Sequence, residues 1–322
     1  MQRWIRLIAF AATALAAVPP AAAADEWPTK PIRMVVPYAA GGNTDVLARL
    51  IAQRLSSALG QSVIVDNRPG GNTLPATELV AKAPPDGYTI LLTTLTFVVV
   101  PSLYPSLPFD PIKSFTPITL AVTLPNVLVI NTELPVQSMK DFIAHAKANP
   151  GKMSYASTGS GTSPHLSMEL LKSMAGIDLV HIPYKGGAPA LTDLIGNRTQ
   201  AQFIGLPVAM PQIASGKLRA IGVTGKQRAS AAPSIPAIAE TVPGYELDPW
   251  FGVLGPAGMP KAITERLQQE ISRILRAPDV REQLASLGAE PVASTPEAFA
   301  THLQTEIERY RKLVKDAGVK VE

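Results

Sequence analysis

Ile32-Arg33-Met34-Val35-Val36-Pro37-Tyr38-Ala39-Ala40-Gly41-Gly42-Asn43-Thr44-Asp45 is the stretch that decides the fold. The first five residues form a β-branched, apolar run that reads as a strand ending at Pro37. Two alanines and two glycines turn the chain. Asn43 or Thr44 can cap a helix from about Asp45 to Leu59, which Gly60 stops. Within it Val46, Leu47, Leu50, Ile51 and Leu55 recur at helical spacing, so one face is apolar.

The same grammar continues downstream. Val63 to Val65 reads as a strand, Arg68-Pro69-Gly70-Gly71 as a turn, Pro75 to Lys82 as a helix and Tyr88 to Thr93 as a strand. It restarts with strands at Val127–Ile130, Met153–Ala156 and Leu179–Ile182, a helix at Met139–Ala148, and a Ser163-capped helix with Pro164 in its first position. Ala188-Pro189 opens another helix, and Leu218–Val223 and Trp250–Leu254 are strands. Amphipathic helices follow at 262–275, 279–287 and 296–316. Strands alternating with helices imply an α/β chain with mostly parallel sheets covered on both faces. A crossover near Pro117 to Pro125 and a return near Pro249 to Pro256 imply two lobes. One comprises residues 25–123 plus 250–322, the other 124–249, with hinge crossings near Ala121 and Phe251.

Composition limits the function. Charged residues make up 17% of the 322, against roughly 25% in ordinary soluble chains. No Lys/Arg block stands out and the net charge is only +4, so no nucleic-acid partner is expected. The absence of cysteine excludes a thiol nucleophile, a disulfide scaffold and a cysteine metal site. The 31 prolines are about twice average usage. They read as loop punctuation, with Pro75, Pro164 and Pro189 at first helical positions. Residues 1–24 read as a secretory signal peptide: Arg3 and Arg6, an apolar Leu7–Val18, and Ala22-Ala23-Ala24 before Asp25. An uncleaved anchor is the rival reading. The run Thr89–Pro101 is too short to span a membrane and reads as a buried strand with its loop.

Four turns, around Gly41, Gly70, Gly161 and Gly187, place glycine before a helix start. Unpaired N–H groups and a partial positive charge make such a turn an anion site that needs no Lys or Arg. In open α/β sheets ligands bind beyond the carboxyl ends of the strands, where these turns lie. Enzyme signals are weak. No phosphate-binding loop motif and no nucleophile elbow occurs, and His145, His165, His181 and His302 do not pair at metal-ligand spacing. Neither metal nor cofactor is expected. Ser160 with His165 leaves an exported hydrolase as an alternative, and Tyr38, Tyr155 and Tyr184 fit a pocket or a core equally.

Several segments carry a family resemblance. They are Trp27-Pro28-x-Lys30-Pro31-Ile32-Arg33, Val36-Pro37-Tyr38-Ala39-Ala40-Gly41-Gly42-x-x-Asp45, Asp66-Asn67-Arg68-Pro69-Gly70 and Pro85-Asp86-Gly87-Tyr88-Thr89. Further along come Ala156-Ser157-x-Gly159-x-Gly161-x-x-x-His165-Leu166, His181-x-Pro183-Tyr184-Lys185-Gly186, Gly216-Lys217-Leu218-Arg219-Ala220, Trp250-Phe251-Gly252 and Pro256-Ala257-Gly258. In this order the chain resembles the tripartite tricarboxylate receptor family, the Bug solute-binding proteins. The resemblance implies a two-lobe, type II periplasmic-binding-protein-like fold, each lobe a mixed, mostly parallel sheet flanked by helices. It implies a monomeric, exported receptor that closes on a small carboxylated ligand and delivers it to the membrane subunits of a tripartite transporter. Ligand presentation to a membrane sensor is the alternative use of the same pocket.

By position, the resemblance places the ligand at Tyr38, Ala40, Gly41, Gly42 and Asp45 in the first loop. In the second loop it selects Ser157, Thr158, Gly159, Gly161, Thr162 and His165, with Thr94, Tyr184 and Gly205 as neighbouring positions. Two departures stand out. Relatives have a longer glycine cluster where this chain has Gly71-Asn72-Thr73-Leu74-Pro75, which changes a pocket edge. Many also have an acid after the residue matching Phe203, where this chain has Ile204. Its absence points away from amino acids and toward a ligand with an uncharged tail.

Overall fold

The computed structural model describes residues 27–41, 43–184 and 186–316. The expected signal peptide, Gly42 and Lys185 lie outside them, as does the side chain of Asn43. The chain begins with β1 (Ile32–Val36), α1 (Asn43–Leu59), β2 (Val63–Asn67), α2 (Leu74–Ala81), β3 (Thr89–Thr94), α3 (Thr96–Leu103) and β4 (Phe115–Thr123). It crosses over to β5 (Asn126–Asn131), α4 (Met139–Ala148), β6 (Ser154–Ser157), α5 (Ser163–Ala175) and β7 (Val180–Pro183). There follow α6 (Gly187–Ile195), β8 (Ala201–Gly205), α7 (Leu206–Ala214) and β9 (Leu218–Val223). It returns through β10 (Trp250–Pro256), α8 (Lys261–Arg276), α9 (Pro278–Ser286), β11 (Glu290–Pro291) and α10 (Pro296–Asp316).

Two sheets result. The first runs β11-β4-β10-β3-β1-β2 and the second β7-β6-β8-β5-β9. Each is mixed, as expected, but the parallel pairings are not the majority. β1 pairs in parallel with β2 and β3, but β10 pairs antiparallel with β3 and β4, and β11 with β4. In the second sheet β6 is parallel to β7 and β8, while β5 is antiparallel to β8 and β9. The antiparallel members enter because the chain returns across the molecule, a long-range step that local alternation of strand and helix does not encode.

The period-two pattern of each central strand explains why both faces are covered. Ile32, Met34 and Val36 enter one core with α1 and α8, while Val35 enters the opposite core with α2, α3 and α10. Leu128 and Ile130 point toward α4 and α5, and Val127 and Val129 toward α6 and α7. The helix α4 starts as its sequence specifies, with Ser138 Oγ accepting the Asp141 N–H at 3.2 Å.

Three local expectations change. Thr96–Leu103 is a helix, with Pro101 inside it, not a loop. Its Phe97-Val98-Val99-Val100 run is buried in the core that α10 closes, and that packing overrides β propensity. Helix α5 is preceded by Thr162 as N-cap rather than Ser163, whose hydroxyl instead accepts from Asn126 Nδ2 at 2.9 Å. Pro75 and Pro164 are second residues of their helices and Pro189 the third. They still fall in the first turn, where a missing N–H costs nothing.

The chain passes between the sheets at Leu124–Pro125 and again over residues 224–249. These crossings lie beside Ala121 and Phe251, which themselves belong to β4 and β10. The two passages are tied together: the Leu124 N–H donates to the Pro249 carbonyl at 2.7 Å. Beside them Thr224 Oγ1 donates to Asp248 Oδ1 at 2.8 Å and accepts from the Asn126 N–H at 2.9 Å.

Candidate functional site

The first glycine loop leaves the end of β1 and is fixed from three directions. Asn67 Nδ2 donates to the Tyr38 carbonyl at 3.0 Å, and the Tyr38 hydroxyl lies 2.5 Å from Thr94 Oγ1. Burial raises the Tyr38 pKa, against the bonds to Thr94 and Thr96, so the phenol is neutral. The third fixing point is Asp45. Its carboxylate accepts the Gly41 N–H and Arg49 Nε, both at 2.9 Å. The bonds from Arg49 and then Gly41 hold its pKa down at about 2. Asp45 therefore serves its own loop, placing a permanent negative charge at the start of α1.

The second loop leaves β6 and is fixed by hydroxyl and imidazole groups. Ser157 is fully buried; its Oγ accepts the Gly159 N–H at 3.1 Å and lies 2.6 Å from His181 Nε2. Thr162 Oγ1 donates to the Gly159 carbonyl at 2.6 Å. The Gly161 N–H donates to His165 Nδ1 at 2.9 Å, which requires an unprotonated Nδ1. Burial first, and His181 second, push the His165 pKa down to about 4. His165 and His181 stack with centroids 4.0 Å apart. Beneath them the Tyr155 hydroxyl donates to Glu169 Oε1 at 2.6 Å, and Lys172 Nζ pairs with the same oxygen at 2.9 Å.

Between the loops lies a cavity of about 380 Å³. Pro37, Tyr38 and Ala39 line it from the first loop, and Pro69, Gly70, Asn72 and Thr73 from the next turn. Thr96, Val100 and Leu103 of α3 line it too, and Ser160, Gly161 and Thr162 face them from the second sheet. None of these described lining residues carries a charge. A Cβ on Gly161 would stand 3.3 Å from Leu103 Cδ1, so the two sides approach closely here. A larger depression of about 880 Å³ lies between Pro101–Ile112 and α10, away from both glycine loops.

Of the expected residues, Tyr38, Gly161 and Thr162 line this cavity, and Ala40 and Gly41 continue the first loop. Thr94, Ser157, Gly159 and His165 stand behind the walls and hold them. Thr158 neighbours Gly187, and Gly205 precedes α7 as its N-cap. The Tyr184 hydroxyl is engaged with Asp193 Oδ2 at 2.7 Å. Ile204 is buried in the core with Val127 as its strand partner and does not line the cavity, so the ligand argument drawn from it loses its basis. The contributions of Thr96, Val100 and Leu103 escape sequence reading because the valine-rich run of α3 has the look of a strand with its loop.

The sequence pattern of the tripartite tricarboxylate transporter family receptor, TctC, matches residues 47–319. The chain belongs to this receptor family. It is 37% identical over 315 residues to BugT of Bordetella pertussis, covering 97% of this chain and 96% of that one. Its fold matches the R. palustris protein Rpa4515 with adipate at TM-score 0.78 and 38% identity, covering 92% of this chain and 99% of the other. It matches the periplasmic binding protein BugD at TM-score 0.75 and 35% identity, covering 92% and 100%. It also matches MatC from Rhodopseudomonas palustris with bound malate at TM-score 0.73 and 31% identity, covering 89% and 100%. Receptors of the TctC family are periplasmic solute-binding proteins and not enzymes. The geometry agrees. His165 Nδ1 is occupied by the Gly161 N–H, and Ser157, the partner of His181, is fully buried.

Proposed function

We propose that this chain is an exported receptor that holds a small carboxylate between its two glycine loops and hands it to the membrane subunits of a tripartite transporter. One observation carries the proposal. The cavity brings the α5 N-terminus, which no side chain caps and whose first turn holds no acid, to face the first loop. A carboxylate at the start of α5 meets the positive end of a helix dipole, the Gly161 and Thr162 N–H groups being given to His165 Nδ1 and the Gly159 carbonyl. The α1 N-terminus cannot take that role equally, since Asp45 already neutralises it. Residues 1–24 supply the export signal, and the two passages at Leu124–Pro125 and 224–249 supply a hinge between lobes.

The uncharged lining further favours a ligand without an ammonium group, because no described side chain in the cavity offers it a counter-charge. Adipate and malate, found with two relatives, are the first probes. Isothermal titration of the mature protein should show both or either binding more tightly than aspartate and glutamate. Tighter binding of the two amino acids would overturn the ligand class. Mass spectrometry of ligand released from freshly purified, denatured protein should return a carboxylic acid.

A further inference from the structure

His165 lies in the first turn of α5 and is only 6% exposed. Its Nδ1 accepts the Gly161 N–H at 2.9 Å, so the ring is neutral and carries its one proton on Nε2. A second proton can enter only at Nδ1. The ring is then a cation that no longer accepts, and the Gly161 N–H loses its partner. Gly161 lines the cavity. One protonation therefore changes two things at the start of α5 together: it adds a positive charge and frees a backbone donor.

By themselves both changes are unfavourable. The titratable groups facing the ring are His181 from β7, Tyr155 from β6, and Glu169 and Lys172 from α5 itself. His181 stacks on it with centroids 4.0 Å apart. Glu169 is the carboxylate of this set, and its Oε1 already accepts from Tyr155 and Lys172. Burial first, then His181, outweigh the Glu169 attraction and hold the His165 pKa down at about 4.

An anion at the start of α5 reverses this balance. It gives the imidazolium an opposite charge and gives the freed N–H an acceptor. We infer that His165 is a proton-linked switch of the anion site: a bound carboxylate and a proton on Nδ1 favour each other, so the receptor takes up both together. The link rests on the receptor reading above and adds how that site is regulated. By reciprocity, the factor by which the ligand tightens the proton is the factor by which the proton tightens the ligand. The first loop has no such switch, because Asp45 keeps its charge down to a pH of about 2 and is paired with Arg49.

Magnetic resonance of the mature protein, isotope-labelled at its histidine rings, reads the switch directly. The chain has four histidines, and the signal missing from His165→Asn or His165→Gln identifies the ring. Both variants keep an acceptor that takes no proton. The wild type is titrated from about pH 7 to about pH 3.5, alone and with saturating adipate or malate. The bound acid should tighten the His165 proton about tenfold or more. Calorimetry supplies the reciprocal reading. Between about pH 7 and about pH 4, wild-type affinity should rise about fivefold relative to either variant. Protonation of the acid itself is common to all three proteins and cancels in that ratio. Binding that leaves the His165 proton unchanged or loosens it overturns the switch and leaves the receptor reading standing. So does a proton taken up by His181 instead. Failure of both acids to bind the wild type at any pH overturns the receptor reading for this class, and the switch with it.

Discussion

The two glycine loops solve one problem with opposite electrostatics. In the first, the Gly41 N–H is capped by the Asp45 carboxylate, charged and paired with Arg49. In the second, the Gly161 N–H is capped by a neutral imidazole, His165. The spacing is identical, four residues from glycine to cap, so both loops close in the same local way. The difference teaches which end of the cleft can receive an anion. The Asp45 charge satisfies the α1 dipole internally and disfavours a second negative group nearby. The His165 cap fixes its loop without adding charge and leaves the α5 terminus electropositive. On the proposed reading, one loop acts chiefly as wall and the other as anion cradle.

The sharpest way to break this contrast is to add bulk to each loop in turn. Gly161→Val puts a branched side chain where φ is 76° and Leu103 already stands 3.3 Å from a Cβ. Affinity for whichever acid binds the wild type should fall roughly 100-fold, about 3 kcal/mol. Gly41→Val has a similar φ of 86° but open space around its Cβ. It should cost about 1 kcal/mol of stability and change affinity by only about threefold. Equal affinity losses in titrations of the two variants would show that the first loop holds the anion as closely as the second.

Removing the caps sharpens the comparison. Asp45→Asn keeps an acceptor but loses the charge, and should lower urea-unfolding stability by about 1–2 kcal/mol. The wild-type carboxylate contributes stability that is present above its ordinary pKa and is lost as pH falls toward about 2. His165→Asn also keeps an acceptor and should cost less at neutral pH, since no charge is removed. A larger loss for His165→Asn than for Asp45→Asn at pH 7 would reverse the ranking.

The pH dependence separates His165 from a second, half-buried group, Asp248 at the crossing. His165 has its pKa lowered to about 4, so the unfolded chain binds its proton more readily. Its contribution therefore makes folding less stable as pH falls from about 6.5 to about 4. Burial raises Asp248 to about 6, the Thr224 bond opposing. Its contribution has the other sign: stability falls as pH rises from about 4 to about 6. Denaturant melts between pH 4 and 7 should show His165→Asn shedding the acid-side loss, and Asp248→Asn shedding the loss toward pH 6. Each change should approach ~3 kcal/mol across its window, and identical pH slopes in both variants would refute the assignment. The smallest effect is Thr94→Val, which removes the partner of the Tyr38 hydroxyl. About 0.5–1.5 kcal/mol of stability should go, with little change in affinity, as read by melting and titration.

Local chemistry made much of this molecule legible. The run Ile32–Val36, the helix to Leu59 and the stop at Gly60 follow from residue type and period, and Met139–Ala148 and Pro296–Asp316 have the bounds their patterns predict. Glycine before a helix start marked four turns, and the family resemblance selected the two loops among them. Misreadings occurred where distant packing decided the outcome. The valines of α3 look like a strand until α10 covers them. Ile204, singled out from sequence position, proves to be core.

By itself the sequence determined the alternation of strand, glycine turn and helix, the family, and the two loops that flank the cleft. These depend on side-chain periodicity and backbone freedom, which are properties of adjacent residues. Only the tertiary structure decided the strand order within the sheets, the place of α3 in the cavity wall, and the unequal caps on the two loops. Those depend on which distant residues meet when two sheets must each bury both faces. Tyr38 and Thr94 are 56 positions apart, and Asn126 and Thr224 are 98 apart, yet each pair shares a hydrogen bond because burial forces their segments together.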